Sequence, residues 1–367
     1  MSYQWPLNAQ ELFGERYAQM INAGLPVQDV DAVRAAITDM WANAPGGWVF
    51  EWSKLAASYA EAGSHYQAAL AYGWAKFPTL ADNAKRAALA NQLEQYQLGA
   101  PGFGVQFRRE VLELPYQGGT TWVPVHLLAP FDLPTHAPVV IASGGVDTWK
   151  MDVHAVLAVM AIQLRIRVLA FDIAGTGESS VPMTGSGGAE IVRGLVAHAR
   201  TLGNGVVAHL GISMGGHYSA RSGLAGEVDA AVVLGGPVEA TFTGGGPSRF
   251  GMDGIIGNAL GFDEPPSPEE RSARFAEFFA APVARSGQQR PDAGHQRRRR
   301  RPRSAARHTG FPRPSRHCGR AHPRHRALRD NQIPRSVFDS RRLARPPPHR
   351  QCRSDSLTTT DITRSLG

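Results

Sequence analysis

Residues 206–216 read Val-Val-Ala-His-Leu-Gly-Ile-Ser-Met-Gly-Gly. An apolar, strand-like run ends at Leu210, small residues bracket Ser213, and a helical stretch follows. A serine on such a strand-to-helix turn sits in a tight backbone conformation that tolerates only small neighbours, and its hydroxyl is aimed out at the start of the helix. That arrangement suits nucleophilic attack on a carbonyl, with the next amide, that of Met214, donating to the oxyanion that develops. Gly-x-Ser-x-Gly is a weak pattern by itself, and the competing reading is a Gly-rich helix start. The strand before it and the helix after it make Ser213 the candidate nucleophile.

A second oxyanion donor is expected from the loop after an earlier strand. Ser143-Gly144-Gly145-Val146-Asp147 follows the apolar run 138–142, and its glycines let backbone approach a substrate. The amide of Val146 is the first candidate and that of Gly145 the second. Asp147 then stands at the mouth of the site, where it could orient or protonate a substrate carbonyl, or simply cap its own loop. A third loop, Phe171-Asp172-Ile173-Ala174-Gly175-Thr176-Gly177-Glu178-Ser179, has neither the GxGxxG order nor the lysine of a phosphate-binding loop. Asp172 and its glycines are read as a structural turn beside the site.

The elements that must position these residues follow from hydrophobic period. Residues 8–100 recur at helical spacing (Leu12, Tyr17, Met20, Ile21; then Val33, Ile37, Met40, Trp41), with Asp29 and Asp31 as cap candidates for the second helix and Asn43 to Gly47 as its end. From about residue 104 the period becomes two, and a hairpin is expected around Gln117-Gly118-Gly119. Apolar runs at 138–142, 168–171, 206–210 and 230–234 lack alternation and are separated by helix-length segments, the pattern of parallel strands covered on both faces. Residues 267–280 give a last amphipathic helix. The expected organisation is a helical domain (1–102), an incomplete α/β core (103–281) and an Arg/Pro-rich tail (282–367).

In this order, GWVFEW in the helical part, SGGVDT, FDIAGTGESS and GISMGG resemble the α/β-hydrolases with an N-terminal helical domain. That group includes 2,6-dihydroxypseudooxynicotine hydrolase and the esterases related to the fermentation-respiration switch protein. The resemblance covers roughly residues 10–280. It implies a Ser-Asp-His hydrolase acting on an ester or C–C bond of a small molecule, without metal or organic cofactor, whose helical domain helps cover the site and pairs two copies into a homodimer. The family nucleophile carries over to Ser213 and its acidic residue after paired glycines to Asp147. Where the C–C hydrolase of the group has Glu thought to assist ketonisation, this chain has Asp, which leaves the reaction open between ester and C–C cleavage.

The triad acid and base are not assignable. In this fold both follow the nucleophile, each after a late strand, but patterning stops near residue 280. His217 lies one turn into the elbow helix and is expected to point away from Ser213. Asp292-Ala293-Gly294-His295 mimics a catalytic loop without a preceding strand. The tail is chemically unlike the rest: residues 1–280 hold 17 basic and 26 acidic residues, residues 281–367 hold 22 and 5, and every basic residue of the tail is Arg. The formal net charge of +8 therefore describes neither part.

A slip of the reading frame between about residues 282 and 291 is the hypothesis that accounts for the tail. With permitted codons, reading Asp292 through Gly310 one nucleotide later yields MLVINGADDVHVPQHDTL, a strand followed by an acid-bearing loop. The same shift across Ala321 to Asp330 yields HILATGHCA, a strand, a glycine and a histidine. Sequencing the DNA around codons 282–295 tests this. The alternative is an inactive fragment with a basic, nucleic-acid-sticky arm (Gln296 to Arg303), whose salt-sensitive affinity would come from phosphate contacts without specificity. No apolar run approaches the roughly 18 residues of a spanning helix and no leader pattern opens the chain, so a cytoplasmic, non-membrane location is expected. Both cysteines, Cys318 and Cys352, lie in the tail, leaving no disulfide framework for the rest.

Overall fold

In a computed structural model of the chain, residues 3–237 and 251–279 are described. The expectations for residues 282–367 lie outside them. All described residues belong to one compact unit, residues 1–292.

Five helices come first: α1 (Ala9–Asn22), α2 (Val27–Ala36), α3 (Trp48–Glu61), α4 (His65–Ala75) and α5 (Asn83–Gly99). Asn8 starts α1 by accepting the Gln10 and Glu11 amides, two of the donors a helix leaves unpaired at its N-terminus. The apolar stripes meet in an aromatic core in which Phe13 stacks on Trp52 at 5.7 Å and Trp48 packs edge-on to Phe13. The GWVFEW segment is thus core of the helical region. The second helix is shorter than its periodicity suggests. It stops at Ala36 because Ile37 is extended, and Asp39 enters a bridge with Gly47. Its cap is Pro26, and Asp29 and Asp31 instead accept the hydroxyls of Tyr59 and Tyr17.

The sheet has six strands: β1 (Gln106–Tyr116), β2 (Gly119–Ala129), β3 (Val139–Ser143), β4 (Arg167–Phe171), β5 (Val207–Ile212) and β6 (Ala230–Leu234), in the order β1-β2-β4-β3-β5-β6. The hairpin β1–β2 turns through Gln117 and Gly118, both at positive φ. β2 meets β4 antiparallel, and β4, β3, β5 and β6 run parallel. Along β3, Val139 and Ile141 enter the core under α7 (Gly185–Thr201) and α8 (Met214–Leu224), while Ala142 enters the core under α6 (His154–Leu164). Two covered faces explain why these strands show no polar alternation. The fold is α/β, a mostly parallel sheet flanked by helices and preceded by a helical region. Two more helices, α9 (Met252–Ala259) and α10 (Pro268–Phe279), close over the α7 side. β6 is the edge of the described sheet and leaves Val232, Val233 and Leu234 exposed, an apolar edge of the kind that promotes association.

Several histidines are buried by this packing. Burial pulls His154 down to about 4 and His209 to about 3 from the ordinary 6.5, and His126 is lowered well below it. Between those values and 6.5 the unfolded chain binds more protons than the folded one, so their contribution is complete above about pH 6.5 and is lost as pH falls toward 4. His154 alone amounts to on the order of 3 kcal/mol. Urea midpoints should therefore be level between pH 7 and 8 and drop steeply between pH 6 and 4.5; a level profile down to pH 4.5 would contradict this.

Candidate active site

Ser213 occupies the single residue between β5 and α8, with φ 53° and ψ −125°. For a side-chain-bearing residue this is a strained conformation, costing of order 1–3 kcal/mol, of the kind held in place at functional sites. Its neighbours show why they must be small. A Cβ on Gly211 would lie 2.1 Å from the Gly215 carbonyl oxygen. The Ser213 amide donates to the Leu234 carbonyl at 2.8 Å, tying the elbow to the end of β6.

The loop after β3 lies against the serine. A Cβ on Gly145 would sit 2.8 Å from Ser213 Cβ and 2.9 Å from its Oγ, so glycine is needed for the close approach. The Gly145 amide donates to the Thr148 carbonyl at 3.0 Å and is committed within the loop. The Val146 amide has no such partner among the described residues, which favours Val146 over Gly145 as the donor. Val146 and Met214 are both buried. Met214 opens α8, where an amide lacks an intrahelical acceptor and the helix dipole favours negative charge.

Asp147 is buried, and its Oδ2 accepts from Arg16 Nη2 of α1 at 2.7 Å. With Leu70, Trp74, Phe77 and Val156 it lines a cavity of about 260 Å³ between the helical region and α6. Ser213 does not line this cavity. Asp172 behaves as the expected turn residue: it accepts the amides of Lys150 and Glu178, and its Oδ2 pairs with Lys150 Nζ at 2.6 Å. Lys150, fully buried, also reaches Glu178 at 2.7 Å, and Arg109 covers the other oxygen of Glu178. Burial would lower the lysine, but the two carboxylates outweigh it and its pKa is raised.

Among the described residues no histidine or carboxylate hydrogen-bonds Ser213 Oγ. His217 packs against the rings of Phe278 and Phe279 of α10, at 5.6 and 5.3 Å. Burial first, then the nearby Arg221, brings it down to about 4. The tail histidines, His295 among them, lie outside the described residues. No cluster of His, Cys, Asp and Glu among the described residues could hold a metal ion, and no described helix is long and apolar enough to cross a membrane. Arg16, Lys76, Asp152 and Lys150 were not singled out from the sequence. They are isolated polar residues whose partners lie far along the chain, so no spacing marks them.

The sequence profile of the family described as FrsA-like esterases matches residues 37–246, more than half of the chain. Among solved structures, AbyA5 superposes with a TM-score of 0.61 at 19% identity, over 73% of this chain and 74% of that one. The 2,6-dihydroxy-pseudo-oxynicotine hydrolase superposes with a TM-score of 0.54 at 21% identity, over 70% of this chain and 74% of that one. At these identities the likeness carries the fold. No curated protein sequence matches the chain.

Proposed function

This chain belongs to the FrsA-like esterase family, and within that hydrolase family we propose that Ser213 is the nucleophile acting on a small-molecule carbonyl substrate, an ester in the first instance. The observation that carries the reading is the Ser213 backbone, held at φ 53° directly before the N-terminus of α8. In the reaction, Oγ bonds to the substrate carbon and the carbonyl oxygen takes up negative charge. The Met214 amide and the Val146 amide donate to that oxygen, and the leaving group departs with a proton. Water then attacks the acyl-serine, releasing the acid and restoring the hydroxyl. Oxyanion donors of this kind contribute on the order of 3 kcal/mol each to the transition state.

Asp147 orients the substrate from the rim of the site. The apolar walls of the adjoining cavity, Leu70, Trp74, Phe77 and Val156, suit an uncharged hydrocarbon or aromatic portion of the substrate. C–C cleavage is the second reading, since it uses the same nucleophile with a carbon leaving group, and the carboxylate at Asp147 is the observation that favours it. The test is a panel of p-nitrophenyl esters beside vinylogous 1,3-diketones. Ester turnover that disappears in Ser213→Ala is expected; turnover unchanged in that variant would place the chemistry elsewhere.

A further inference from the structure

The loop that carries the candidate oxyanion donor is gripped from outside the sheet at both of its ends. At one end Arg16 of α1 pairs with Asp147, the residue directly after Val146. At the other, Lys76, at the end of α4, pairs with Asp152 at 2.8 Å, and Asp152 also accepts the Trp149 amide. Both cations come from the helical region, and each is backed by an aromatic face: Arg16 lies 5.2 Å from the centre of the Phe77 ring, and Lys76 lies 4.0 Å from that of Trp149. Both pairs are well shielded, with side-chain exposures of 15% and 9% for Arg16 and Asp147, and 2% and 19% for Lys76 and Asp152. Between them the Trp149 indole donates to the Val146 carbonyl at 3.1 Å, and Gly145 bonds to Thr148.

We infer that Arg16 is a positioning residue for catalysis: through Asp147 it holds the 144–149 loop so that the Val146 amide stays turned toward Ser213. The inference rests on Ser213 being the nucleophile, and it gives the helical region a role beyond covering the site. An oxyanion donor works because it is fixed before the reaction begins, and a displacement of about 1 Å can cost on the order of 100-fold in rate. The short glycine-rich loop has no secondary structure of its own to supply that rigidity. Arg16 reaches Asp147 Oδ2 through Nη2 while its Nη1 donates to Gln19 Oε1 at 3.3 Å, and the charge-assisted pair lies beside the Phe77 ring.

The test compares this chain with Arg16→Met and Arg16→Lys by amide hydrogen exchange over residues 144–149, alongside urea unfolding. The clamp requires faster exchange in that loop for Arg16→Met, by about tenfold or more, with exchange in α7 and the sheet unchanged and partial recovery in Arg16→Lys. Unchanged loop exchange, or a uniform rise that follows lower global stability, overturns it. Fluorophosphonate labelling of Ser213 separates this inference from the one beneath it. A labelled Ser213 whose rate is indifferent to Arg16→Met refutes the clamp, whereas no label in any variant follows from the lack of a described base beside Ser213 and leaves the exchange result to decide the clamp.

Discussion

Ester turnover should rise by roughly 10⁴- to 10⁶-fold when the sequence after residue 291 is replaced by its alternative-frame reading. The magnitude follows from what a serine nucleophile lacks without its base. Loss of the histidine of such a triad costs up to about 10⁶ in turnover, and what survives, roughly 10³–10⁴ over water, comes from the oxyanion donors and binding. In this chain the elbow and its candidate donors are assembled, but no described histidine or carboxylate hydrogen-bonds Ser213 Oγ. With permitted codons, the alternative frame would provide an acid-bearing loop after one strand and a histidine after another. Kinetics of the restored chain beside the present one measure the difference. Equal rates would mean that the alternative-frame segment does not supply the missing base.

Lys150→Met should destabilise the protein by about 3–5 kcal/mol, the range for removing one partner of a buried ion pair. Lys150 is fully buried, with Asp172 at 2.6 Å and Glu178 at 2.7 Å. Taking it away leaves Asp172 buried with only backbone donors, while Glu178 keeps Arg109. The network joins the Lys150 segment to the loop after β4, so the loss falls on both segments. Chemical unfolding of Lys150→Met against the unsubstituted protein checks this; a loss below about 1 kcal/mol would mean that the ammonium is easily replaced by an apolar chain.

The elements of the fold were legible where local chemistry dictates them. The run 230–234 is β6 residue for residue, and the other three apolar runs fall within a residue or two of β3, β4 and β5, because strands covered on both faces have no freedom to be polar. The turn at Ser213 was legible because a strained turn demands small neighbours, and Gly211 shows that demand in its clearance. The end of α2 was not legible. Ile37 and Met40 continue the helical spacing, yet the chain leaves the helix at Ile37 to pair Asp39 with Gly47, a tertiary choice that no period announces. Arg16 was invisible for a related reason: its partner is 131 residues away, and an arginine on the polar side of a helix reads as solvated until the loop it grips is in place.

Whether Ser213 attacks the substrate is read from the site of covalent capture by a fluorophosphonate in the chain carrying the alternative-frame segment, by mass spectrometry of the peptide containing residues 211–216. A phosphonate adduct on Ser213, absent in Ser213→Ala and formed far more slowly in the present chain, is the expected result. A restored chain that hydrolyses esters while Ser213 remains unmodified would contradict the account.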